Sequence, residues 1–473
     1  MVSPIYFIII PLAAAFLTAL INKAAASRFI GLLTSIVLTV MAWFWFSAGF
    51  KESVPVILGG IKAPMGIQLA MDSLGATLVL VVAASSFLVM LFSQSYISSG
   101  KSSNKYYSVV LLLITASFGI ILTRDLFNLF VFYEILCISS YILVSYEQNK
   151  NALEASVKYL LIGSAGSAFM LIAIGLAYKL TGSLAMADIA AAMSGASGAY
   201  AIATVVLFLF GMGVEAAIFP VSAWLPDAHS SAPSSISALL SGFVIEISLV
   251  VMLRVLYFIY PAESLLTVLR YIALAGVLVG EFAAFGQKEL KRTLAYSSMG
   301  QIGIMLFAFS LGTDAGIHAG LSHLVMHAGA KSALFLIAGY FIIRTGSRNT
   351  DDYRGLGRKM PFSGVLFVLA TLSLIGVPPL FGFFTKFRIL SAAAASGTSG
   401  SWLGIGVILL GTVLEAVYLF RVYRILFASV PQKEKDEKSK EMEWPAAAAV
   451  AAFVLLVVLG SLLIPMIPAG LAI

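Results

Sequence analysis

A chain of 473 residues that is 60% hydrophobic and 11% charged, with a mean hydropathy of +1.01, carries more apolar surface than a water-soluble fold of its size buries, so lipid is the solvent for most of it. The formal net charge of +7 lies in short loops between apolar runs, which reads as a topology signal and not as a nucleic-acid surface. The single cysteine, Cys137, excludes disulfides, iron–sulfur ligation and cysteine-based zinc sites within the chain.

At about 20 apolar residues per crossing, the chain divides into about 14 predicted membrane helices. They begin near Pro4, Phe29, Asp72, Tyr106, Leu126, Ser156, Ala199, Ser235, Val268, Thr293, Gly316, Phe362, Trp402 and Trp444. Met1 to Ile21 has no basic segment before it and reads as the first membrane helix, not as a signal peptide. The fourth and ninth spans lie about 160 residues apart, and so do the proline breaks of the seventh (Pro220) and twelfth (Pro378-Pro379). The fold class expected is therefore an all-α integral membrane protein with two inverted five-helix repeats, each holding one broken helix. Residues 1–105 carry spans 1–3, 106–260 the first repeat, 261–430 the second, and 431–473 a charged loop and the last span.

Loop charge sets the orientation. Lys23, Arg28, Lys101, Lys105, Lys288, Lys291, Arg292, Arg344, Arg348, Arg354, Arg358, Lys359 and the run "PQKEKDEKSKEME" fall on one side. The other side holds little beyond Lys51, Lys62, Arg124 and Lys179. The first side is then cytoplasmic, with both termini on the outer side of a prokaryotic cytoplasmic membrane.

Ionisable groups at membrane depth are costly and mark pathways, so Glu134, Glu215, Glu246, His323, His327, Lys331, Lys386 and Glu415 are candidate site residues. Lys158 and Arg254 lie nearer helix ends, where snorkelling explains them as well. His323, His327 and Lys331 share one helix face over roughly 12 Å, a spacing that suits a water-bridged proton relay, structural hydrogen bonding or a His-x-x-x-His metal pair. Lys386 follows the break "GVPPLFGFFTK" and reads as an exchangeable amine in a wet pocket or as a fixed partner of Glu415. Asp227 and His229 sit in the first break, where capping or loop geometry also accounts for them.

The segments "DLFNLFVFYE", "FPVSAWLPDAHSSAPSSISALLSG", "LKRTLAYSSMGQIG", "HLVMHAGAKSALFLIAG" and "GVPPLFGFFTKF" resemble the antiporter-like subunits shared by complex I, membrane-bound hydrogenases and Mrp-type cation/proton antiporters. The likeness spans about residues 70 to 430 and is nearest to the Mrp D-type subunit. The resemblance implies a water-filled central axis in which Glu134 takes the first position, His323, His327 and Lys331 the central relay, and Lys386 the last. It also implies no cofactor in this chain, with iron–sulfur and nickel–iron centres in partners if the assembly is redox-driven. Expected partners are other antiporter-like and small membrane subunits, peripheral iron–sulfur or hydrogenase-type subunits, and membrane lipid.

Two departures from the family pattern matter. Glu215 and Glu246 stand where lysines of the seventh and eighth helices are expected, and Ser222 and Gln301 replace common histidines. Three readings follow for this half: protonation replaces lysine charge as the switch, the acids bind a monovalent cation, or the half no longer conducts. The function expected is a proton-translocating subunit of a respiratory or hydrogenase-type complex. The alternatives are a Na⁺(K⁺)/H⁺ antiporter subunit and a structural subunit with a degenerate first half-channel.

Overall fold

The computed structural model describes residues 2–21, 23–49, 54–61, 66–97, 103–193, 198–259, 263–429, 440–468 and 470. Lys51, Lys62, Lys101 and residues 431–439 of the charged run lie outside the described residues. The chain is helical almost throughout: α1 (Tyr6–Leu20), α2 (Ala24–Ser47), α3 (Ser73–Tyr96), α4 (Ser103–Leu122), α5 (Leu126–Val144), α6 (Lys150–Thr181), α7 (Met186–Met193), α8 (Ala199–Glu215), α9 (Leu225–Ser231), α10 (Ser234–Leu239), α11 (Ile245–Ile259), α12 (Glu263–Phe285), α13 (Leu290–Ser310), α14 (Asp314–Thr345), α15 (Leu356–Lys359), α16 (Pro361–Ile375), α17 (Phe381–Ser396), α18 (Ser401–Leu426) and α19 (Trp444–Leu459). A short antiparallel hairpin pairs β1 (Val54–Ile57) with β2 (Gln68–Met71).

Ten helices among the described residues are long and apolar enough to cross a membrane, against the 14 spans expected. The difference has a physical cause. The proline-interrupted helices are short pieces, α1 is only 15 residues long, and α13, buried around most of its surface, has no lipid to face and spends its positions on Ser, Gly and Gln. Breaks occur where the sequence places Pro220 and Pro378-Pro379: α8 stops at Glu215 before α9, and α16 stops at Ile375 before α17. At the first, Ala217 adopts φ 53°, a left-handed conformation that costs a side chain about 1–2 kcal/mol. At the second, Gly376 takes φ 93° without that penalty.

The core centres on α14, whose whole middle from Ala319 to Phe341 is buried and which packs against α10, α13, α16, α17 and α19. Beside it, α12 and α13 cross at backbone distance because Gly280 meets Gly300; a Cβ on Gly280 would lie 2.6 Å from the Gly300 nitrogen. Small residues here let helices approach closely where the hydrophobic effect gives no drive.

Arg124 and Arg254 depart from their sequence reading. Neither reaches water; both are buried, at 7% and 3% exposure, and both pair with Asp72, Arg124 at 2.7 Å. Asp72 also caps α3 by accepting from the Gly75 nitrogen at 2.6 Å. Carbonyls at the end of α4 accept from the guanidinium groups, Thr123 from Arg124 at 3.2 Å and Ile121 from Arg254 at 3.5 Å. The cluster ties α3, α4 and α11 together. Asp72→Ala therefore leaves two buried guanidinium groups without a carboxylate and is expected to destabilise the protein by about 3–5 kcal/mol. Thermal unfolding of the purified protein in detergent checks this, and an unchanged midpoint would contradict it.

Candidate ion-translocation site

Along α14 the sequence-predicted file is intact and fully buried, and each member has its own partner from another helix. His327 Nδ1 lies 2.5 Å from Glu246 Oε1 on α11. His323 Nε2 lies 2.7 Å from Gln301 Oε1 on α13, and its Nδ1 lies 2.9 Å from the Thr385 hydroxyl on α17. Lys331 Nζ donates to the Leu294 carbonyl at 3.0 Å and to Ser297 Oγ at 2.7 Å, both on α13.

Lys386 and Glu415 form a buried ion pair at 2.8 Å, joining α17 to α18. Lys386 also donates to the Ile375 carbonyl at 3.3 Å, an acceptor left free by the end of α16. The broken helix thus creates a polar socket for the amine. Glu415 Oε1 accepts from Gln301 Nε2 at 2.9 Å and from Ser297 Oγ at 3.2 Å. One connected network therefore runs from Lys331 through Ser297 to Glu415 and Lys386, and from Glu415 through Gln301 to His323 and Thr385.

The donors in that network determine a tautomer. An ionised Glu415 only accepts, so the Gln301 amide presents its nitrogen there and its carbonyl oxygen to His323. His323 Nε2 must then carry the ring proton, while Nδ1 faces the Thr385 hydroxyl, which also lies 3.1 Å from the Gly382 carbonyl. An amide holds this geometry but passes no proton along its own bonds, so transfer between His323 and Glu415 needs water beside Gln301. Gln301 is thereby a positioning group.

The first half is built differently. Glu215, fully buried at the end of α8, accepts from Tyr159 Oη on α6 at 2.6 Å and from Cys137 Sγ on α5 at 3.4 Å. The Tyr159 ring is stacked at 3.7 Å on Trp224, whose indole nitrogen donates to the Val214 carbonyl at 2.8 Å. Neutral donors, a phenol and a thiol, hold this acid. Glu134 accepts from Ser167 of α6 and sits mid-way along α5 on its outward stripe, between Val131 at 40% and Ile138 at 50% exposure. Cys137 lies one turn from Glu134 on α5, so the two acids share a neighbourhood with no ion-paired cation among the described residues.

Asp227 and His229, two residues apart in sequence, part company. Asp227 pairs with Lys158 at 3.1 Å and Arg292 at 2.7 Å on the wall of a polar cavity of about 350 Å³ that also touches Glu154, Glu289 and Arg348. Lys158, half exposed, pairs with Glu154 at 2.8 Å as well. His229 is fully buried, stacked 4.9 Å from the Phe335 ring, with neither ring nitrogen hydrogen-bonded among the described residues. Among the described residues no cluster of three or more His, Cys, Asp or Glu suits a metal ion. The sequence reading missed Tyr159 and Glu281; the latter is a buried acid on α12 that accepts from Tyr418 Oη at 2.9 Å.

The profile of a family described as NADH:quinone oxidoreductase/Mrp antiporter, transmembrane, matches residues 123–414. Subunit N of the NADH-quinone oxidoreductase of Desulforudis audaxviator is 32% identical over 89% of this chain and 85% of its own length. The D-type component of the Na(+)/H(+) antiporter of Bacillus subtilis is 32% identical over 93% of this chain and 90% of its own. Among solved structures, a chain of the membrane-bound sulfane sulfur reductase, an archaeal respiratory membrane complex, superposes with a TM-score of 0.89 at 31% identity, covering 98% of this chain and 96% of that one. A chain of the Mrp complex from Dietzia sp. gives the same TM-score and coverage at 23% identity, a likeness of fold.

Tyr159→Phe removes the shortest bond to Glu215 and leaves a buried carboxyl oxygen without its donor, at a cost of about 1–3 kcal/mol. The expected result is a lower thermal midpoint and a changed tryptophan fluorescence, since the Tyr159 ring that Glu215 anchors is stacked on Trp224. An unaltered midpoint and spectrum would show that the hydroxyl bears no load.

Proposed function

The chain belongs to the NADH:quinone oxidoreductase/Mrp antiporter membrane family, and on that premise we propose that it is a proton-translocating subunit of a multi-subunit respiratory or hydrogenase-type redox complex. The observation that carries this reading is the buried network of the second half. Lys331, His323, Gln301, Glu415 and Lys386 form alternating donors and acceptors across α13, α14, α17 and α18. The 31% identity over 98% of the chain to a member of a respiratory membrane complex favours the redox assembly. A gradient-driven Na⁺(K⁺)/H⁺ antiporter is the second reading, favoured by the 32% identity to the Bacillus subtilis antiporter component.

In this reading the chain crosses the membrane 14 times, counting α8 with α9, α10 with α11 and α16 with α17 as single spans. Residues 106–260 and 261–430 are the two inverted units. Their support is a pair of matching features: α6 and α14 are each 32 residues long, and a broken helix follows each. The loop set of Lys23, Arg28, Lys105, Lys288, Arg292, Arg344, Arg348, Arg354, Arg358 and Lys359 then faces the cytoplasm of a prokaryotic cell, with both termini outside. The Asp227 cavity is the cytoplasmic vestibule. His229 lies between it and the α14 file, and protons travel from Glu134 and Glu215 through Glu246 and His327 to Lys331, His323 and Lys386. Redox centres, iron–sulfur and nickel–iron, reside in peripheral partners, and other antiporter-like and small membrane subunits flank the chain.

Transport and composition test this separately. In the reconstituted complex, Lys386→Ala should lower proton translocation about tenfold or more, because it removes both a carrier and the Glu415 counter-charge. Glu215→Gln should lower it while the complex still assembles; normal translocation would mark the first half as structural. Gentle purification with metal analysis should recover iron–sulfur subunits in fixed stoichiometry. Recovery of small membrane subunits alone, free of iron and nickel, would transfer the chain to the antiporter reading.

A further inference from the structure

Glu281 lies on α12 four residues before the helix ends, in a run, "LVGEFAAFGQK", that resembles an ordinary helix end. Its side chain is nevertheless buried, with 1% exposure. Oε2 accepts from Tyr418 Oη at 2.9 Å, and Oε1 has no hydrogen-bond partner among the described residues. Both nearby lysines are committed elsewhere: Lys386 to Glu415, Lys331 to the Leu294 carbonyl and Ser297. No described cation forms an ion pair with this acid.

The surrounding helices make room for it. A Cβ on Gly300 of α13 would lie 3.0 Å from the Glu281 carboxyl carbon and closer still to Oε1, and one on Gly411 of α18 would lie 3.4 Å from its Cγ. Two glycines on two different helices thus leave a slot that the carboxyl group fills. Tyr418, its donor, is one helical turn from Glu415 on the same helix, so the slot opens beside the Lys386–Glu415 pair. An ionised carboxylate with a free oxygen and no counter-charge is costly here, whereas a neutral acid carries on Oε1 a hydrogen that can bond water.

We propose that Glu281 is a proton-binding residue of the second half, a storage position that exchanges its proton with the Glu415, Lys386 and Lys331 cluster. With Glu281 protonated, Glu415 faces two ammonium groups; once its proton leaves through water, two carboxylates face two ammonium groups. Each exchange moves one proton on and off Oε1, and no other bond changes. Tyr418 positions the carboxyl through Oε2 and leaves Oε1 free. The role as a store rests on the proton-route reading above, whereas the bound proton does not.

Difference infrared spectroscopy of the purified complex, in water and in deuterium oxide, tests both. Wild type should show a carboxylic C=O band near neutral pH that Glu281→Gln abolishes and Tyr418→Phe shifts without removing. When the complex is driven, that band should fall and return, and Glu281→Gln should slow proton translocation about tenfold while the subunits still co-purify. Glu281→Asp, which keeps an acid, should retain a band and part of the rate. No Glu281-dependent band in wild type would overturn the proposal, and so would a band that is unmoved by turnover. A Glu281 band in a complex that moves no protons at all would instead overturn the proton-route reading and leave the bound proton standing.

Discussion

The ion pair between Lys386 and Glu415 is the contact around which the second half is arranged, because a bare charge at that depth would cost several kcal/mol. Its partners follow from that need. The end of α16 frees the Ile375 carbonyl for the ammonium, Gln301 and Ser297 turn donors toward the carboxylate, and Gln301 in turn orients His323. The proline break is therefore more than an interruption of a helix. It supplies backbone acceptors that a continuous helix would have used internally.

The two halves solve the same electrostatic problem by opposite means. The second uses cations, with Lys331 and Lys386 set among carboxylates, hydroxyls and carbonyls. The first uses neutral donors: Tyr159 and Cys137 around Glu215, Ser167 on Glu134. Between them the Glu246–His327 contact joins α11 to α14. A lysine at 215 could not accept from Tyr159, so the tyrosine and the Trp224 stack beneath it are a set matched to the acid.

Much of the fold and the candidate site was legible in the sequence. The long apolar stretches, the two proline breaks and the i, i+4, i+8 file of His323, His327 and Lys331 are local patterns, readable because helix period and bilayer thickness constrain them. Glu281, Tyr159 and the Asp72 cluster were not legible in that way. Glu281 sits where helices normally carry a solvated acid, Tyr159 is one aromatic among many in an apolar chain, and Asp72 marks only the start of a span. Arg124 and Arg254 escape such reading for the same reason: long side chains near helix ends usually reach water, and only their neighbours decide otherwise.

What the sequence determined by itself was the solvent, the helical class, the family and the places where a helix must break, since each depends on composition or on spacing within one segment. Which charges meet was decided only by tertiary structure. Ion pairs such as Lys386–Glu415 and Asp72–Arg254, the Glu246–His327 bond and the glycine slot around Glu281 each unite residues from separate helices. Their cost or benefit depends on desolvation and on distance, and neither quantity exists until the helices pack.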